Sequence, residues 1–164
     1  MKSVGFKEWA LVCDALGRGE QRLLLRKGGI AEGRDGFGFK HQEFFLFPTY
    51  FHAQADQLRI ARAALPVANA GEITIRYFVR VAQARWIDDW SELESLEPLH
   101  VLKPEVVRER FNHGDSSGLH VGWVETFRLH RAWTFPDRAA YGGCRSWVNL
   151  PDAPPLHLDP VLSV

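Results

Sequence analysis

Residues 73–81 read ITIRYFVRV, and in this run Ile73, Ile75, Tyr77, Val79 and Val81 alternate with Thr74, Arg76, Phe78 and Arg80. A period of two sends successive side chains to opposite faces of a sheet, so the run predicts a central or near-central strand. Further along, Leu119, Val121, Trp123, Phe127 and Leu129 repeat the pattern, with Arg128 and His130 opposite and Glu125 as the exception. Between the two runs the period changes to helical. The fold expected from this order is α+β, with a mainly antiparallel sheet and about three helices packed against it.

Working outward, Gln21–Lys27 reads as a strand with Leu23 and Leu25 on one face and Arg22 and Arg26 on the other. Trp9–Leu16 is expected to be its hairpin partner across Gly17–Glu20, although Phe6, Trp9, Cys13 and Leu16 also fit a helical stripe. Ala31–Lys40 is a glycine-rich excursion, and Glu43–Phe47 is a strand that Pro48 ends or places at an edge. The three helices are expected over His52–Leu65, stopped by Pro66; after a capping box of Ser91 and Glu94; and from Pro104, with Val107 and Phe111 inward. The six tryptophans and eleven phenylalanines are read first as core, with partial exposure of Trp133 beside Pro136 left open; Trp86 and Trp90, four apart, would share a helix face if the turn before Ser91 is helical. Trp147–Leu150 is a final strand. Residues 1–150 form one domain, and 151–164, with four prolines, form an extended wrap or a loose end.

The 164 residues are 46% hydrophobic and 24% charged, so roughly 70% of the chain's surface can be buried without a disulfide or metal staple. Twenty basic residues balance twenty acidic ones. Zero net charge argues against a bulk electrostatic hold on nucleic acid or an anionic membrane and leaves a local patch open. No apolar run is long enough for a membrane span or a signal peptide, so a cytoplasmic protein without a membrane partner is expected. Cys13 and Cys144, far apart in the chain, are expected to be reduced.

Three constellations carry possible chemistry. Arg26, Lys27, Gly28 and Gly29 end a strand in two cations and two glycines, a pattern that brings side chains and open backbone amides to a phosphate; the plain alternative is a solvated strand end. His41 and Glu43 lie two apart and share a face if extended, which suits an acid/base pair or a structural ion pair. Neither has a closely spaced third ligand, so no metal site and no cofactor are expected. Arg76, Arg80 and Arg128 join Arg22 and Arg26 if their strands are neighbours, forming a positive face; the acidic stretch Asp88–Glu97 competes for them.

The blocks LLLRKGGI, FLFPTY and GGCRSWV together resemble a bacterial family known as a domain of unknown function, over nearly the whole chain. The resemblance implies a single domain and carries no activity with it. A Nudix-like opening around LLLRKGG is not followed by the paired glutamates a metal cradle requires. The residues themselves point to a module that binds nucleic acid or a phosphorylated small molecule. The alternatives are a small hydrolase or transferase using His41 and Glu43, and an interaction domain without chemistry. The Arg26–Gly29 edge and the His41–Glu43 segment are expected side by side.

Overall fold

A computed structural model describes residues 3–28, 37–60 and 65–163. Among these residues, seven strands form one sheet: β1 (Val4–Trp9), β2 (Leu23–Arg26), β3 (Glu43–Thr49), β4 (Glu72–Ile87), β5 (Leu119–Pro136), β6 (Trp147–Asn149) and β7 (Leu158–Pro160). Their order is β2-β5-β4-β3-β1-β6, and β7 pairs with β5. Every pairing is antiparallel except β1 with β3. Helices α1 (Ala10–Gly17), α2 (Trp90–Ser95) and α3 (Pro104–Asn112) complete the α+β architecture.

The ribbon of β4 and β5 organises the molecule. Alternation holds within each half, but a register shift between Ile75 and Tyr77 changes which face is which. Between these two paired positions β4 advances two residues and β5 five, and such an irregularity sends what lies beyond it to the opposite side. Ile73 and Ile75 therefore pack with Phe78, Trp133 and Phe135 in one cluster, while Tyr77, Val79 and Val81 join Leu119 and Val121 in the other. Both faces of the ribbon are covered, and Trp133 is buried, in keeping with the core reading of the aromatic residues.

The helix total is as expected, but the members differ. Trp9–Leu16 is not a hairpin arm: β1 ends at Trp9, and seven of the eight residues of α1 are buried. The helical stripe through Cys13 and Leu16 prevails because this segment packs on all sides, so the polar alternation that marks a half-buried strand has no place in it. Within His52–Leu65, the described residues form a short 3₁₀ turn at Gln54–Gln57, and Leu58 then bridges Leu102. The buried Gln54 side chain explains the failure of the helix: it accepts from the Leu11 amide and donates to the carbonyls of Thr49 and Phe51, which ties the turn to α1 and β3. Asp89, rather than Ser91, caps α2, its carboxylate accepting from the Ser91 amide at 2.9 Å. Trp86 lies on β4 and Trp90 on α2, so the two rings do not share a helix face. α3 begins at Pro104 and buries Val107 and Phe111, as the pattern requires.

Ala31–Lys40 falls partly outside the described residues, but its last part supplies core. Phe37 is buried against Phe6, and its ring stacks on Trp147 at 6.1 Å. The sheet also curls. β2 and β1 are separated by three strands in the pairing order, yet the Arg26 guanidinium lies 4.5 Å from the Phe6 ring and donates to the Lys7 carbonyl. Beyond Asn149, the backbone amide of Leu150 donates to Ser3, and that of His130 donates to His157 next to β7.

Candidate functional site

Where the sheet curls, the ends of β1 and β2, helix α3 and the 143–146 segment enclose a cleft of about 700 Å³. Five cations line it, Lys7, Arg26, Lys27, Arg110 and Arg145, against two carboxylates, Glu8 and Glu109. In a chain of zero net charge this is a local positive field. Trp9 and Phe51 stand at its edge with ring centroids 5.8 Å apart, and Phe51 is 47% exposed.

Lys7 and Arg110 both donate to backbone carbonyls. Lys7 is 8% exposed, and its Nζ donates to the Gly143 carbonyl at 3.1 Å. Burial lowers its pKa, Arg145 adds to that, and Cys144 and Asp137 oppose it. Arg110 lies over the Trp9 ring at 4.7 Å and donates to the Leu25 carbonyl; burial lowers its pKa, partly offset by Glu8. Glu8 is 5% exposed, accepts from its neighbour's amide at 2.8 Å, and sits 3.7 Å from Arg26. Arg26 Nε is buried with no acceptor.

Lys27 is different. Its ammonium donates to the carbonyls of Phe111, Ser116 and Gly118 and lies 5.4 Å from the Trp86 ring, so all three of its protons are engaged and it ties the end of α3 to β2. Gly28 takes a φ of +95°, and a Cβ there would lie 2.6 Å from that of Phe37. Only glycine meets both conditions. Gly29 lies outside the described residues.

The remaining sequence candidates stand elsewhere. β2 pairs with β5 and β3 with β4 and β1, so the Arg26 edge and the His41–Glu43 segment are not sheet neighbours as expected. The parallel β1–β3 pairing, across α1 and the excursion, takes the place of a local β2–β3 hairpin. His41 packs edge-on to Trp147 at 4.9 Å, and burial lowers its pKa, helped by Lys40. Glu43 receives Arg80 Nε at 2.9 Å, and Arg80 also reaches Glu125 at 3.7 Å. Arg128 donates to the Gly17 carbonyl, and Arg76 borders a small separate pocket with Asp14 and Tyr50. The arginine positions of β4 and β5 are thus dispersed. Of the residues that form the cleft, Lys7, Trp9, Phe51 and Arg110 went unnoticed in the sequence. The one signal was a lysine in the middle of the apolar run VGFKEW.

The described residues contain no group of three or more side chains that could hold a metal ion, and none of their helices is long and apolar enough to cross a membrane. Both cysteines are free thiols.

The family model for a domain of unknown function, DUF1802, matches residues 5–164. The chain belongs to that family. No curated protein matches it. Among solved structures, it is similar to two mutant forms of ZmASCH from Zymomonas mobilis. One is 10% identical with a TM-score of 0.57, covering 92% of this chain and 89% of that one; the other is 12% identical at 0.55, covering 92% and 91%. The likeness is one of fold.

Proposed function

We propose that the cleft binds the phosphate backbone of a single-stranded nucleic acid. The observation that carries this reading is the excess of cations over carboxylates around an open cavity. Arginine and lysine neutralise phosphates and release counterions, which gives an affinity that falls with salt. The exposed Phe51 ring beside Trp9 supports a single strand over a duplex, because an unpaired base offers a π-face to an aromatic shelf. His41 and Glu43, the pair that would serve a hydrolase or transferase, do not line the cleft.

The test is a fluorescence-anisotropy titration of labelled single-stranded and duplex oligonucleotides at two salt concentrations. The expected result is single-strand binding that weakens steeply with salt and weakens further in Phe51→Ala. Absence of salt-dependent affinity for either form overturns the reading.

A further inference from the structure

Lys7 is the anomaly of the cleft. Lysine is rarely buried unless paired with an acid, yet this one is 8% exposed, its amine donates to a neutral carbonyl, and among the described residues it belongs to no ion pair. It also lies between two openings, lining both the main cleft and a second cavity of about 560 Å³ on the side of Tyr50 and Tyr141. The backbone around it is fixed from two directions. Its amide donates to Ser146 at 2.8 Å, and its carbonyl accepts from Arg26. A buried lysine beside other cations, held rigidly and reachable from a cavity, is the arrangement that makes an amine a nucleophile at neutral pH.

We propose that Lys7 forms an imine with the aldehyde carbon of a phosphate-bearing ligand held in the cleft. The choice of a phosphate-bearing ligand rests on the reading of the cleft as a phosphate site; the reactivity of the amine does not. The neutral amine's lone pair attacks the carbonyl carbon, and a proton passes from nitrogen to oxygen to give a carbinolamine. Loss of one water, taking the hydroxyl and the remaining N–H proton, leaves the C=N bond, and hydrolysis reverses the step. No electron is gained or lost. Burial lowers the Lys7 pKa, which enlarges the neutral fraction, and the positive wall formed by Arg26 and Arg145 faces the ligand's phosphate.

The experiment treats the full chain briefly with pyridoxal 5′-phosphate at neutral pH, reduces it with borohydride and locates the label by peptide mass. Lys40, exposed, and Lys103, half-buried, serve as internal controls. Lys7 is expected to label about ten-fold faster than either, and Lys7→Arg to lose that label. Labelling of Lys40 or Lys103 as fast as Lys7, or an unlabelled Lys7, overturns the proposal on the unaltered protein alone, whatever the variant does to folding. Cys144→Ser is expected to leave the Lys7 label in place; its loss would assign the capture to the exposed thiol and also overturn the proposal. The oligonucleotide titration separates the two readings. Binding without Lys7 labelling defeats the imine alone, and Lys7 labelling without binding defeats the nucleic-acid reading alone.

Discussion

Arg80 on β4 and Arg26 on β2 are both strand arginines facing a glutamate, and they show how the same side chain serves different ends. Arg80 meets Glu43 at 2.9 Å and Glu125 at 3.7 Å, with all three side chains about half exposed, and Arg85 does the same with Glu92 on α2. There the acceptors are carboxylates, and the positive charge is cancelled where it stands. In the cleft, Lys7, Lys27 and Arg110 donate to the backbone carbonyls of Gly143, Phe111 and Leu25. A neutral carbonyl satisfies a donor and leaves the charge intact. The difference between the two regions is therefore in the acceptors rather than the cations, and only the second can present a field to an anion.

The largest expected effect comes from breaking one member of each region. Arg26→Met leaves Glu8 buried without its cation, which is expected to cost about 3 kcal/mol. Arg80→Met removes half-exposed pairs and is expected to change stability by less than about 1 kcal/mol. Urea midpoints of the two variants measure this directly, and equal losses would erase the distinction between the regions.

Acid tests the same distinction from behind the cleft wall. His100 is buried, and its Nδ1 accepts from the Leu102 amide; burial, then Arg59 and Arg110, push its pKa down to about 4 from 6.5. Because the folded value lies below the unfolded one, the unfolded chain binds more protons in this window. The contribution is complete above pH 6.5 and is lost as pH falls toward 4, a change of about 3 kcal/mol. Urea midpoints across that range should fall in the wild type, and His100→Asn should flatten the slope. Lys27→Met is a smaller change in kind. It frees three backbone carbonyls and removes one charge from the cleft, so it is expected to cost about 2 kcal/mol of stability and to weaken oligonucleotide affinity at low salt.

The sequence exposed the sheet better than the site, for a physical reason. Alternation in β4 and β5 is a local property, visible wherever one residue in two is apolar, and α3 announces itself through Pro104 and the Val107–Phe111 spacing. The bulge after Ile75 leaves no mark on composition, so the change of face was not legible. α1 misled because Trp9–Leu16 is apolar at nearly every position, a composition that a buried strand and a buried helix share, and Gln54 stops a helix through a bond to Leu11, 43 positions away. The cleft joins Lys7, Arg26, Arg110 and Arg145, which only the curl of the sheet brings together. Arg26, Lys27 and Gly28 were legible because a strand end with cations and glycines is again a local pattern.

Arg145 provides the finest test of the comparison, because it lines the cleft while remaining exposed, so its removal need not disturb the fold. Arg145→Ala is expected to leave the urea midpoint within about 0.5 kcal/mol of wild type. Its effect should appear in binding: a single-strand affinity about five-fold weaker at low salt, and a salt slope shallower by about 0.7, the loss of one phosphate contact. Arg80→Ala removes the same charge from the same protein, but from among carboxylates, so its affinity and slope should match wild type. Net charge changes identically in the two variants, which makes the pair a control for non-specific attraction. Should both weaken binding equally, the anion would be responding to total charge, and the cations of the cleft would have no special standing.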